Sequence, residues 1–146
     1  PIRAAALTSD GVWHVGGVYV DAAGGGCSAP AVGRAIANWS DTLGQTQGRV
    51  WRQVDGRSRV RLRMKHPMDT GLAQDNTPAF FVEDLQMRSS RGDLLARIHL
   101  AEPVSEDPTL TLQVNLPAVD NAVTVDGRDN SGSIFKSSIP APFNPS

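Results

Sequence analysis

The stretch that decides the fold is Ser58–Lys65, which reads SRVRLRMK. Apolar residues alternate strictly with basic residues along it. The apolar set is Val60, Leu62 and Met64, and the basic set is Arg59, Arg61, Arg63 and Lys65. A period of two is typical of a β-strand with one buried face and one solvent-exposed face. This stretch therefore predicts an antiparallel strand whose outer face carries a row of positive charge.

The same period recurs downstream, where the pattern is β from about Arg49 onward. Thr109–Leu116 is the most regular example, and in Asp93–Leu100 every second residue from Leu94 is expected to face inward. Further strands are predicted at Phe80–Arg88, Asn121–Gly127 and Ser133–Ile139. Short strands separated by turn signals favour an immunoglobulin-like antiparallel β-sandwich. We therefore predict an all-β fold with one sandwich domain over residues 49–146.

Composition narrows the class of protein. The 146 residues include 14 Lys and Arg against 15 Asp and Glu, which gives a net charge of −1. That near-balance argues against a nucleic-acid binder, because such proteins usually carry a basic excess. The apolar runs are too short for a transmembrane helix, and no signal peptide is predicted at the N-terminus.

A β-hairpin is predicted over residues 1–23, with arms Ile2–Ser9 and Val12–Asp21 around Asp10-Gly11. Asp-Gly between apolar runs suits a two-residue turn with positive φ at both central residues. Two strands alone do not form a stable unit. We therefore expect this hairpin to pair with strands supplied from outside the chain.

Residues 24–48 are predicted to form a glycine-rich arm and a linker. Three glycines, Gly24, Gly25 and Gly26, hold regular structure poorly because glycine loses the most backbone entropy on ordering. Downstream, apolar residues at helical spacing predict a short helix or helical turn that ends near Gly44. These residues are Val32, Ile36, Trp39 and Leu43.

Cys27 is the only cysteine, so the chain forms no internal disulfide and has no structural zinc set. A free cysteine is often buried, but the glycines before Cys27 make a poor core segment. A thiolate is a strong nucleophile that holds sulfur reversibly, and a dithiol oxidoreductase would need a second cysteine. Cys27 is therefore a packed apolar residue, a reactive thiol or an intermolecular bridge, and the residues favour a functional thiol that suits a covalent carrier, with no metal and no cofactor.

A family resemblance begins at His66–Gly71, which reads HPMDTG. This stretch resembles the His-Pro-Met-acid-Thr-Gly motif of SoxZ, one half of the SoxYZ sulfur-compound carrier. The similarity continues, in order, at Phe80–Val82, Val104–Leu110 and Asp129–Gly132.

The region upstream resembles the other half of that carrier. Gly24–Cys27 is similar to the Gly-Gly-Cys-Gly arm that closes SoxY, and the hairpin is similar to the last two strands of SoxY. The chain therefore resembles a fused SoxYZ-like carrier, including the subgroup associated with quinoprotein dehydrogenases. Because the early SoxY strands are missing, the chain also looks like a piece of a longer protein.

The resemblance implies a periplasmic carrier in the oxidation of thiosulfate or other sulfur compounds, or in an allied quinoprotein system. Such a carrier has no catalytic centre and presents cargo on a swinging cysteine arm, here Cys27, to sulfur-oxidation enzymes or c-type cytochromes. The remaining SoxY-like segment of the same precursor is the expected partner of the hairpin. Neither nucleic acid nor membrane insertion is expected.

Two alternatives stay open. A non-covalent immunoglobulin-like binding module would have an incidental, buried cysteine. An enzyme with Cys27 as nucleophile would need a base beside the sulfur, and His14 is the nearest candidate along the sequence. The basic row is either a solvated sheet face or a surface that docks a partner or attracts anions. His66 is expected to order its loop rather than to act as a base.

Overall fold

The computed structural model describes residues 2–18, 29, 31–73, 76–101 and 104–142. These residues contain nine strands and two 3-10 turns, and none of their helical segments is long or apolar enough to cross a membrane. The strands are β1 (Ile2–Leu7), β2 (Trp13–Val18), β3 (Thr46–Arg52), β4 (Ser58–Met64), β5 (Val82–Ser89), β6 (Leu94–His99), β7 (Thr109–Val114), β8 (Ala122–Asp129) and β9 (Ile134–Pro140). The prediction of an all-β fold is confirmed.

Strands β3 to β9 form an antiparallel sandwich, also as predicted. One sheet has the order β3-β4-β7 and the other has the order β6-β5-β8-β9. Each sheet has an apolar inner face, and the side chains of the two inner faces pack together in one core. The most deeply buried of them are Val50, Val60, Leu62, Met64, Val82, Leu85, Met87, Val123 and Val125.

The predicted alternation holds along β4, where the apolar residues are buried and the arginines between them are exposed. In β7, Val114 is buried, but Leu110 and Leu112 are only half-buried because β7 lies at the edge of its sheet. The expectation for Leu94 is wrong, since this side chain is 54% exposed. The β5–β6 register shifts beside it, and Leu95 packs against the core instead.

The N-terminal hairpin forms a separate two-stranded sheet, β1 paired with β2. Its turn differs from the prediction, because positive φ occurs at Gly11 (81°) and not at Asp10. The Gly11 N–H donates to the Thr8 carbonyl, and Thr8 and Val12 are paired around a three-residue turn. Glycine takes the left-handed position because it has no Cβ to clash, so Asp10 keeps an ordinary conformation.

The hairpin leaves large apolar side chains in solvent. Leu7, Trp13, Val15 and Val18 are each more than half exposed. Neither strand pairs with another described strand, so the expected pairing with strands from outside the chain stays a prediction.

The linker before β3 contains two 3-10 turns, Val32–Ala35 and Trp39–Thr42, in place of a regular helix. The predicted helical turn is present as two separate turns, and Val32 and Ile36 on it are 77% and 64% exposed. Asn38 has a φ of 60°, which interrupts the helical path between the two turns. The linker ends at Gly44 (φ 75°), where the Phe135 ring leaves no room for a Cβ. Strand β3 then starts at Thr46, slightly before the expected Arg49.

Candidate functional site

The HPMDTG loop follows β4, and hydrogen bonds within the loop and to the start of β5 fix its conformation. His66 Nδ1 accepts a hydrogen bond from the Met68 N–H at 3.1 Å, and Met68 has a φ of 53°. The Met68 sulfur accepts from the Val82 N–H at 3.4 Å. Asp69 is joined to Phe80 by two backbone hydrogen bonds of 2.8 and 2.9 Å. The loop is therefore a fixed platform at one end of the sandwich.

His66 orders this platform as a neutral side chain. It is 2% exposed, and its ring lies 4.5 Å from the Phe80 ring centroid. Burial lowers the pKa of His66 to about 4, although the nearby Asp129 acts in the opposite direction. Because Nδ1 is an acceptor, the proton lies on Nε2, which faces Asp129 Oδ2 at 3.8 Å.

Asp129 is the last residue of β8 and the first residue of the turn Asp129–Gly132, which contacts the HPMDTG loop. Its carboxylate is buried, which would raise its pKa, but hydrogen bonds from Ser131 and Ser133 outweigh burial and lower the pKa. The neighbouring Asn130 side chain binds the backbone of Ala79 and Phe81, at 2.9 and 3.0 Å. The Asp129–Gly132 turn thus meets the HPMDTG loop at His66 and holds the Ala79–Phe81 segment that pairs with Asp69.

The linker is fastened to this platform at residues 31–34, which we call the anchored segment. Asp69 accepts hydrogen bonds from the Arg34 side chain at 2.6 Å and from the Ala31 N–H at 3.4 Å. Glu106 accepts from the Val32 and Gly33 N–H groups at 3.0 and 2.6 Å. A Cβ at Gly33 would overlap the Glu106 carboxylate, so glycine permits this close approach. Asp69 and Glu106 together form what we call the acidic clamp.

An aromatic contact reinforces the clamp. The Arg34 guanidinium lies 4.6 Å from the Trp39 ring centroid and 5.5 Å from the Phe80 ring centroid. Trp39 meets Phe80 edge-on at 6.3 Å. Cation–π contacts of this kind are stabilising when the cation is partly desolvated. Trp39 therefore covers the junction between the linker and the sandwich.

A cavity of about 190 Å³ lies beside the anchored segment. One wall comes from the linker, including Trp39 and Leu43, and the other comes from Lys65, Pro67 and Glu106. Because its two walls come from the linker and the platform, the cavity depends on the linker staying in place.

The predicted attachment site lies outside the described residues. The residues concerned are Gly24, Gly25, Gly26 and Cys27. The accessibility of Cys27 therefore stays a prediction. Cys27 precedes Ala31, the first residue held by the acidic clamp, by four positions.

The basic row lies on the outer face of the β3-β4-β7 sheet, with Arg59, Arg61, Arg63 and Lys65 all exposed. Arg63 and Lys65 share the carboxylate of Asp107, at 3.0 and 2.6 Å. Partial burial would raise the pKa of Asp107, but hydrogen bonds from Lys65 and the His66 N–H outweigh it and lower the pKa. The row therefore ends beside the platform. Its role in docking stays a prediction.

The other titratable candidates are dispersed. His14 and His99 are exposed on β2 and β6. Within the part of the chain that the structure describes, no group of three His, Cys, Asp or Glu residues could hold a metal ion. Sequence reasoning missed the acidic clamp. Asp69 and Glu106 lie inside the motifs that carry the resemblance, but no local pattern relates them to residues 31–34.

Comparison with known protein families finds a match that covers the sandwich. The family model described as "Sulphur oxidation protein SoxZ" matches residues 47–140. The matched region includes the HPMDTG loop, Glu106 and the Asp129–Gly132 turn. The hairpin, Cys27 and the anchored segment precede it. No curated protein matches the chain significantly.

Proposed function

Because the chain belongs to the SoxZ family and so has a role in sulfur oxidation, we propose that it is a covalent carrier of sulfur intermediates with Cys27 as its attachment point. The single observation that supports this most strongly is the position of the anchored segment. The only cysteine of the chain comes just before a segment that is bound to the family's HPMDTG platform.

In this proposal the acidic clamp sets the pivot of the arm. A fully extended run of four residues spans at most about 14 Å, so the Cα atom of Cys27 stays within that distance of the Cα atom of Ala31. Gly24, Gly25 and Gly26 free the arm on its other side, because glycine lacks side-chain bulk and restricts the backbone least. The thiol then sweeps a limited volume beside the platform and enters a partner from there.

The chemistry requires a partner with an oxidant. Joining a thiol to a sulfur anion through a new sulfur–sulfur bond releases one proton and two electrons. We propose that sulfur-oxidation enzymes or c-type cytochromes accept those electrons, whether the cargo is thiosulfate or an intermediate of an allied quinoprotein dehydrogenase system. The chain itself supplies the nucleophile and the scaffold, and no catalytic centre of its own.

The exposed hairpin is consistent with a missing SoxY-like half. Its apolar side chains and two open strand edges need cover, because a two-stranded sheet is marginal in water. We propose that the remaining SoxY-like segment of the same precursor supplies it, which makes this a fused SoxYZ-like carrier. We also propose a periplasmic location for the carrier.

Intact-mass analysis of the natively purified protein tests the proposal. Purification without reductant should give a mass above that of the polypeptide, and a thiol reductant should remove the increment. Cys27→Ser is the control, and it should fold but carry no increment. An unmodified wild type that also fails to take up sulfur from thiosulfate and an oxidising partner enzyme would contradict the proposal and favour a non-covalent binding module.

A further inference from the structure

The outer face of the β3-β4-β7 sheet places like charges directly opposite one another. Arg49 on β3 pairs in register with Arg61 on β4, and both side chains are exposed. Like charges in this relation destabilise an antiparallel pair. Neither arginine has an acidic partner among the described residues, so the fold alone gives no reason for the pair.

Trp51 lies next to this pair and orients further charge. It pairs in register with Arg59, and the Arg59 guanidinium lies 4.6 Å from the Trp51 ring centroid. The Arg49 guanidinium lies 5.5 Å from the same centroid. The half-buried ring therefore holds two guanidinium groups on one solvent-facing surface. Tryptophan and arginine are the residue types most enriched at the energetic centres of protein interfaces.

The remaining cations of the basic row are already satisfied. Arg63 and Lys65 both bind Asp107. This splits the row into an end beside the platform that is ion-paired with Asp107 and a part around Trp51 that has no ion pair among the described residues. We call Arg49, Trp51, Arg59 and Arg61 the basic face.

We propose that the basic face docks an acidic surface of the protein that exchanges sulfur with Cys27. The identity of that partner, but not the binding, rests on the proposed carrier function. Guanidinium groups bind carboxylates with paired hydrogen bonds, and two of them on the Trp51 ring with Arg61 opposite Arg49 match a cluster of Asp or Glu side chains. A nucleic acid is the weaker fit, because the chain has a net charge of −1.

The placement suits delivery of the arm. A strand rises about 3.3 Å per residue, so Arg61 lies about 13 Å along β4 from Lys65. Lys65 and Glu106 line the same cavity beside the anchored segment. A protein docked on the basic face that also extends along β4 past Lys65 would therefore cover the pivot of Cys27.

Binding of a poly-glutamate peptide to the full chain, measured at low salt by Trp fluorescence or calorimetry, tests the inference. The double variant Arg49→Gln/Arg61→Gln should raise the Kd at least tenfold without lowering the thermal midpoint, because it removes a repulsive pair. The control Arg97→Gln/Arg128→Gln removes the same charge from the other sheet and should change the Kd less than twofold. If the double variant does not fold, Arg61→Gln alone should still raise the Kd at least threefold.

Three results would overturn the inference. They are equal weakening by the two double variants, no peptide binding by the wild type, and equally tight binding of duplex DNA of matched charge. Cys27→Ser should bind the peptide like the wild type. A failure of the docking surface is therefore distinguishable from a failure of the carrier function, which is read from the mass of the Cys27 adduct.

Discussion

The Nε atom of Arg34 lies 2.6 Å from Oδ2 of Asp69, and this ion pair joins the linker to the HPMDTG loop. The Asp69 side chain is 3% exposed and that of Arg34 is 29% exposed, so the pair is largely shielded from solvent. A shielded pair fixes position more firmly than a surface pair, because salt and water compete less for it. In the proposed carrier, this pair keeps the tether of Cys27 short.

Arg34→Ala should release the anchored segment without unfolding the sandwich. Removing the cation leaves the buried Asp69 carboxylate without its main partner, which costs about 1–3 kcal/mol. We expect the amide protons of Val32 and Gly33 to exchange about tenfold faster or more, while β4 and β5 stay protected. Hydrogen exchange followed by mass spectrometry or NMR measures this.

Arg57→Ala is the matched control, because its partner Asp55 lies on the surface. An exposed pair contributes little, so exchange at Val32 and Gly33 should match the wild type. If Arg34→Ala also leaves their exchange unchanged, the clamp does not hold the linker.

Leu62→Ala should lower the free energy of unfolding by about 2–5 kcal/mol, because it opens a cavity between the two sheets. Leu62 is 1% exposed and lies in the core from the β4 side. Thr111→Ala, on the exposed face of β7, should cost less than about 1 kcal/mol. Urea denaturation of both variants measures the difference. Equal losses would mean that the assigned faces of the sheet are wrong.

The burial of His66 predicts an acid-sensitive fold. The pKa of His66 is about 4 in the folded protein and 6.5 in the unfolded reference, so the unfolded chain binds more protons between these values. Stability is therefore full above about pH 6.5 and falls as the pH drops towards 4. The loss from this group is about 3 kcal/mol.

His66→Asn isolates that effect, because its side-chain oxygen can still accept from the Met68 N–H. Urea denaturation from pH 7 to pH 4.5 should show a smaller loss of stability for the variant than for the wild type. Parallel pH profiles would contradict the assignment of this acid sensitivity to His66.

The strands of the sandwich could be predicted because side chains alternate between the buried and the exposed face of a strand, so apolar residues recur at every second position. Along β4, each of Val60, Leu62 and Met64 alternates with a basic residue, and no other regular structure buries that set. The alternation of apolar residues mispredicts burial where the pairing of two strands is irregular. The irregular register between β5 and β6 exposes Leu94, and no local signal marks it.

The acidic clamp could not be predicted for a different reason. Glu106 and Gly33 are distant in sequence, and their contact depends on a backbone N–H group that every residue except proline carries. The linker residues Val32 and Ile36 have helical spacing, but both are exposed among the residues that the structure describes, so the spacing does not fix a helix. Long-range polar contacts of this kind follow from the fold and not from a pattern.

Replacing Gly24, Gly25 and Gly26 by alanine should slow the transfer of sulfur from Cys27 to a partner enzyme without blocking the access of small reagents to Cys27. Alanine narrows the backbone conformations of the arm and adds bulk, so entry into a partner should suffer. We expect alkylation of Cys27 by a small reagent to stay within about threefold of the wild type. Transfer of sulfur to the partner enzyme should slow at least tenfold, and equal transfer rates would contradict a role for the glycines.

The most direct test of the carrier account is the alkylation rate of Cys27 in the native protein, compared with the rate after denaturation. A carrier thiol must be reachable in the folded protein, and its reactivity then depends on its thiolate fraction and access. The account predicts that a small thiol reagent modifies native Cys27 at a rate within about tenfold of the denatured rate, while the sandwich stays folded. Modification only after denaturation would show that Cys27 is packed, and would contradict the account.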